Sequence, residues 1–284
     1  MTVPEFAFKN RAPVVQPLTF VETTPEAMWL LQALSEVETL PGMLVLRPWV
    51  RESGPPSQSH PGIAVLEEKG LLLADGRVHP QAKAWLELLS APTMEINGDI
   101  RIGDQHLRLV IARRGDLHVA MSRTDEWVLM EDLGEVRSME MLVRRMLPLC
   151  GPTKSPAPLE PVTVPSADFM RGIAEVVRGH HSPAAALRGL DLSAEQRKIV
   201  VEAADKPEME LALTVVQHSS TDDHVAEAAV AVTDCVYGRV VTGPVVSPDG
   251  TWLTQICGGT TETITRSLQL LIKTLPVPHW QWQS

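Results

Sequence analysis

LVIARRGDLHVAMSRTDEWVLMEDLGEVRSMEMLVRRMLP, residues Leu109–Pro148, has a counterpart in VAVTDCVYGRVVTGPVVSPDGTWLTQICGGTTETITRSLQLLIKTLP, residues Val230–Pro276. Each stretch runs through apolar alternation, a Gly-containing turn, more alternation, a second turn, a Trp-led strand and a helix ending in Leu-Pro. Trp127 opens the third strand of the first stretch and Trp252 that of the second. The two agree in pattern rather than identity, which two matching halves of one fold explain.

Working outward, Met94, Ile96, Ile100, Ile102, Leu107, Leu109 and Ile111 alternate with polar neighbours. That period of two belongs to antiparallel strands with one face toward water. Gly98, Gly103 and Gly115 fall where hairpin turns are expected. Upstream the period is helical. Thr24-Pro25-Glu26 sets an N-cap, a first-turn proline and a first-turn acid, opening a helix to about Ser35. Further helices are expected over Ile63–Lys69 and from Pro80, and a closing helix from about Glu135. Met43–Leu46 reads as a short strand, residues 1–23 as an extended arm, and Arg51–Pro61 as a polar loop.

Gly151–Pro165 contains five prolines, Pro152, Pro156, Pro158, Pro161 and Pro165, a density that favours an extended connection. It divides the chain into an N-terminal half, residues 1–150, a linker, 151–165, and a C-terminal half, 166–284. The second half begins with a cluster of short helices. Ser166 is read as a cap, Gly179 as a stop, and Ser193-Ala194-Glu195-Gln196 as a capping box. No equally compact cluster is evident in the first half. Strands segregated from helices and joined by short turns indicate an α+β fold. A mainly antiparallel central sheet with halves related by a pseudo-twofold axis follows.

A chain of 284 residues, 44% hydrophobic and 21% charged, has the make-up of a globular protein. Its formal net charge of -10 argues against nucleic-acid binding, which needs a basic surface. No apolar run reaches the roughly 20 residues of a membrane span, and the N-terminus has no signal-peptide pattern. Cys150, Cys235 and Cys257 are an odd number without a close pair, which suits free thiols in the cytoplasm.

Chemistry-bearing motifs are sparse. Gly103-Asp104-Gln105-His106 and Gly115-Asp116-Leu117-His118 repeat G-D-x-H, but they sit at opposite ends of one strand and cannot share a metal. Hairpin chemistry explains both. His180-His181 follows a helix end, and His218 and His224 flank a polar loop without completing a ligand set. There is no nucleophile elbow, P-loop or dinucleotide fingerprint. Gly258-Gly259 is read as part of the start of the last helix. No cofactor, metal or catalytic residue is expected.

Four stretches carry a family resemblance: WLLQALSEVETLPGMLVLRP (Trp29–Pro48), LVIARRGDLHVAMSRTDEWV (Leu109–Val128), LEPVTV (Leu159–Val164), and Tyr237–Trp280, which ends LLIKTLPVPHW. Together, in this order, the chain resembles the EspG family of ESX (type VII) secretion-associated proteins. The resemblance implies a cytosolic chaperone that binds PE–PPE heterodimers at the tip of the PPE subunit and keeps them soluble before export. It also implies contacts from the central sheet, loops of the second half and the nearby helices. The matching positions are Gly243, Val246, Ser247 and Asp249, with Val215, Ala228, Val230, Phe169 and Ile173 as secondary candidates. Family members carry charged and polar groups where this chain has Val246 and Ser247, so an ion pair is not expected there. Pro244 cannot donate to a ladder, so its strand must meet an edge or a bulge at that point. Two other readings stand beside this one: a small-molecule enzyme with a site between the halves, using His106 or His118, and a structural homodimer.

Overall fold

The computed structural model describes residues 16–280, apart from 52, 53, 55 and 58. In chain order the first half contains β1 (Phe20–Thr23), α1 (Pro25–Leu34), α2 (Gly62–Glu68), α3 (Pro80–Ser90), β2 (Met94–Ile102), β3 (Gln105–Arg114), β4 (Leu117–Arg123), β5 (Val128–Asp132) and α4 (Met139–Cys150). The second contains β6 (Val162–Pro165), α5 (Ser166–Val177), α6 (Pro183–Ala186), α7 (Ala194–Asp205), β7 (Met209–His218), β8 (Asp223–Val225), β9 (Val230–Cys235), β10 (Gly238–Val246), β11 (Trp252–Gly258) and α8 (Thr261–Ile272). All described strands join one antiparallel sheet in the order β1-β5-β4-β3-β2-β7-β9-β10-β11-β6, with β8 added to β7. The order is a palindrome about the β2–β7 pair. The two repeated stretches therefore occupy equivalent places, and α1–α3 are the first half's counterpart of α5–α7.

Local chemistry accounts for most elements. Gly103 and Gly115 take φ of 57° and 61°, the left-handed backbone that two-residue hairpins require. Thr24 caps α1 by accepting from the Ala27 N–H, and Ser193–Gln196 forms a reciprocal capping box on α7. The last helix has a capping box of its own, Thr260 with Thr263. Helix α4 starts at Met139 under a Ser138 cap, later than expected, and it runs past Pro148 to Cys150. Ser166 is the first residue of α5 rather than its cap, and its hydroxyl pairs with that of Thr254 at 2.9 Å.

Two further expectations fail for identifiable reasons. Residues 42–44 form a 3-10 turn, and Val45 enters the left-handed region at φ 50°. Leu44 is buried, and Arg123 Nη1 donates to the carbonyls of both Leu44 and Val45, so no ladder forms. Gly98 lies inside β2, where the side chains of Leu109, Leu211 and Leu213 close over its missing Cβ. The last part of the expected extended arm, Phe20–Thr23, is a strand paired with β5. The arm's residues 1–15, and part of the 51–61 loop, lie outside the described residues.

One face of the sheet is covered by α4 and α8, which also touch each other. Met94, Ile96, Ile100, Leu109, Leu211, Leu213, Val230 and Val241 meet Leu142, Met146, Leu268 and Leu271 there. The opposite face carries α1–α3 over β3–β5 at one end and α5–α7 over β9–β11 at the other, each over its own core. Each fully buried aliphatic side chain in these three cores contributes roughly 1.5–3 kcal/mol.

Candidate partner-binding surface

On the face opposite α4 and α8, no described helix lies over the middle of the sheet. Strand parity puts Glu95, Asn97, Asp99 and Arg101 of β2 on this face, beside Val216, Thr214, Ala212 and Glu210 of β7. Arg101, Glu210 and Ala212 are exposed, and Asn97, Asp99 and Thr214 are half-buried. The result is a band between the two helical clusters that is open toward Arg101 and Glu210, while Glu95 and Val216 at its other end are buried. His106 Nε2 lies 2.9 Å from Asp99 Oδ2, with Arg101 Nε 3.8 Å from the other oxygen. Further along, His218 Nδ1 meets Asp223 Oδ1 at 2.8 Å, and its Nε2 faces the buried Glu95 carboxylate at 3.6 Å.

The second-half edge of this band is irregular. Strand β7 pairs with β8 as Val216↔Val225 and with β9 as Leu213↔Val230. Four residues, 226–229, therefore stand opposite Leu213–Val216's two intervening residues, a bulge that the continuous β2–β3 hairpin lacks. The Ala226 N–H still donates to the Val215 carbonyl at 2.9 Å. Because β9 begins only at Val230, its pairing with β10 stops at Ala231↔Thr242, whereas β11 continues to Val246↔Trp252 without a slip. Pro244 occupies this stretch of β10, where the ladder on one side has ended. Its missing N–H fits a local edge, and the bulge is in the neighbouring strand.

The sequence-derived candidates gather around this irregularity at different depths. Val215 and Val230 are fully buried on the α4/α8 face. Gly243 is buried beneath α8, where an added Cβ would lie 2.8 Å from the Ser267 hydroxyl oxygen. Ala228 is half-buried in the bulge. Val246 is 49% exposed, near the end of β10 on the face that carries α5–α7. Ser247 and Asp249 form the β10–β11 turn, in which the Ser247 hydroxyl donates to Asp249 and the Thr251 N–H donates to the same carboxylate oxygen at 3.0 Å. Those hydrogen bonds, the serine's first, hold the Asp249 carboxyl down at about 2. Phe169 is buried and Ile173 half-buried between α5 and its core.

Periodicity missed two exposed apolar residues of the second half, Val225 on β8 opposite Val216 and Met170 on α5, at 61% and 62% exposure. It also missed the band, although the polar alternation of β2 and β7 was the available signal. Polar residues on the second face of the two central strands accord with the lack of a described helix over them. Among the described residues no group of three or more His, Cys, Asp or Glu could hold a metal. An open depression of about 630 Å³ is formed by the end of α1 and by α3, with Glu36, Glu38, Arg51, Lys83 and Glu87 in its wall. It belongs to the first half and does not lie between the halves. No described helix is long and apolar enough to cross a membrane.

Comparison with known proteins agrees over nearly the whole length. A family model described as the EspG family matches residues 24–269. The ESX-5 secretion-associated protein EspG5 of Mycobacterium tuberculosis (strain ATCC 25618 / H37Rv) is 24% identical, covering 94% of this chain and 97% of that protein. The ESX-2 secretion-associated protein EspG2 of Mycobacterium tuberculosis (strain CDC 1551 / Oshkosh) is 26% identical over 92% and 97%. Among solved structures, the Mycobacterium tuberculosis type VII secretion system chaperone EspG5, in complex with a PE25–PPE41 dimer, superposes with a TM-score of 0.77. At 22% identity, covering 94% of this chain and all of that one, this likeness establishes the fold.

Proposed function

The chain belongs to the EspG family, and on that premise we propose that it is a chaperone of a type VII (ESX) secretion system that binds a PE–PPE heterodimer in the cytoplasm and keeps it soluble for export. The observation that carries this reading is the open band of sheet between the two helical clusters. Sheets with an uncovered central face offer a partner a rigid floor, and here the floor is polar while exposed Val225 and Val246 supply apolar contacts at its edge. Binding of this kind needs complementary shape and no reacting group. We read the protein as a binding protein rather than an enzyme, with no cofactor.

The tip of the PPE subunit is the proposed contact. Val246, Ser247, Asp249 and Ala228 would touch it directly. Phe169 and Ile173 would set the position of α5 beside it. Val215, Val230 and Gly243, lying under the bulge and under β10, would support the surface from below. The two halves, 1–150 and 166–284, are proposed to act as one platform joined through β2 and β7, with 151–165 as the connection. Co-expression with PE–PPE pairs of the same genome, followed by size-exclusion chromatography, tests the reading. A co-eluting ternary complex with one pair is the expected result, and the absence of a complex with every pair overturns it. The same columns report whether the unbound chain is a monomer or a homodimer.

A further inference from the structure

Strand β8 has little packing to hold it. It is three residues long, lies off the main path of the sheet, pairs with β7 alone and exposes all three of its side chains. The bulge at 226–229 follows directly, so the position of β8 sets the positions of Val225 and Ala228. Apolar burial does not fix that position, but a line of polar side chains does. Asp223 Oδ1 on β8 lies 2.8 Å from His218 Nδ1 on β7. His218 Nε2 in turn lies 3.6 Å from Glu95 Oε2 on β2, and Glu95 Oε1 accepts from Asn97 Nδ2 at 3.0 Å. The line runs from an exposed loop across β7 to the floor of the band and ties three strands together. The palindrome has no counterpart of β8, so this line exists on the bulged side only.

The middle link lies out of water. Glu95 is 5% exposed, and neither its Oε2 nor His218 Nε2 has a hydrogen bond to any described residue. A carboxylate oxygen and a bare ring nitrogen buried against each other would both be unsatisfied. One proton in the gap, on the ring or on the carboxyl, serves both. The other ring nitrogen donates its own proton to Asp223, since a carboxylate can only accept. The imidazole is thereby clasped between a buried carboxylate on one strand and an exposed one on another. We propose that His218 is a positioning residue: held between Glu95 and Asp223, it fixes β8 and so sets the bulge that would meet the PE–PPE partner. The clasp stands on geometry alone, whereas its effect on the partner rests on the partner-binding reading.

Hydrogen exchange read by mass spectrometry on the full unbound chain at one pH tests the clasp. The reporting segment is 219–229, which includes the Ala226 N–H bonded to the Val215 carbonyl. The Asp223 side chain is 64% exposed, so changes there spare the core. Asp223→Ala removes the acceptor and should speed exchange in the segment by about threefold, the scale of a partly exposed ion pair, with β2 and β3 unchanged. Asp223→Asn keeps an oxygen for the Nδ1 proton and should restore protection. His218→Phe leaves Glu95 buried without its partner and should speed exchange by about tenfold. Glu95→Gln places an amide N–H in the gap and should keep the segment closed. Unchanged protection in Asp223→Ala, or an Asp223→Asn segment as open as that of Asp223→Ala, overturns the clasp, and this pair decides even if His218→Phe fails to fold. Binding then tests the positioning role. A PE–PPE pair that binds the wild-type chain should bind Asp223→Ala more weakly and Asp223→Asn as well as wild type. Equal binding by Asp223→Ala with its segment opened overturns that role and leaves the clasp. A wild-type chain that binds no pair overturns the partner-binding reading instead, and the exchange result still decides the clasp.

Discussion

Arg239 is enclosed on every side. Its guanidinium makes two bonds to Asp234, at 2.6 and 2.7 Å, and its backbone carbonyl accepts from the Ala157 and Gly259 N–H groups. Both charges are almost fully buried. Removing one partner of such a pair leaves the other charge without water or counter-ion. Arg239→Ala should therefore lower unfolding stability by about 3–5 kcal/mol in urea titration. Adding Asp234→Leu to an Arg239→Met chain should recover much of that loss. The same residue explains Gly258-Gly259, whose role is close approach: an added Cβ at Gly259 would collide with the Arg239 stem, and one at Gly258 with the Ala157 carbonyl. Gly259→Ala should cost about 1–3 kcal/mol in the same titration, as overpacking does. The G-D-x-H motifs resolve at this scale too. Their glycines make the turns, and His118 takes part in packing.

Elements were readable where their signals are local. The capping box at Ser193, the helix opened by Thr24-Pro25 and the strands with period two all formed where their residues place them. Pro244 announced an interruption, and the structure supplies it as a two-residue excess in the strand between β7 and β10. Met43–Leu46 misled because apolar composition says nothing about which carbonyls a distant arginine will claim. The bulge and the β10–β11 turn together present Val246 to solvent. A charged, larger side chain there leaves the ladder to Trp252 intact, because the side chain points away from it. Val246→Glu should weaken binding to the cognate PE–PPE pair by about tenfold or more, equivalent to about 1.4 kcal/mol. Pull-down or calorimetry, with circular dichroism unchanged, measures it. Unaltered affinity would remove this part of the rim from the proposed contact.

Across the molecule, the segments that follow α4 and α8 cross between the halves, where the Arg239 N–H donates to the Ser155 carbonyl at 2.7 Å and Trp280 Nε1 to His118 Nε2 at 3.0 Å. The folded state keeps His118 at about 4, below the usual 6.5 of the unfolded chain. As pH falls through that interval the unfolded chain takes the proton first, so the unfolded state gains. The contribution is complete above pH 6.5 and is lost progressively down to about pH 4. The loss amounts to at most about 3 kcal/mol, at 1.36 kcal/mol per pH unit. Urea titrations at stepped pH should show this slope in the wild-type chain and a shallower one in His118→Gln. The repeat itself was legible in the order of turns, strands and closing helix. The open band was not, because strand alternation marks a polar face without saying where helices from other parts of the chain will sit on it. The contact of Trp280 with His118 was invisible for a related reason: the two are 162 positions apart.

The sequence alone determined which segments become strands and helices in most of the chain, that the sheet is antiparallel, and that it is built twice. Those features rest on interactions within a few residues, in turns, caps and alternation. Only the tertiary structure decided that the copies join through β2 and β7, which surface stays uncovered, and which of the candidate residues reach it. Such outcomes depend on which apolar faces meet once distant segments pack, and on buried partners such as Asp234 and Arg239 or His118 and Trp280 excluding water from each other.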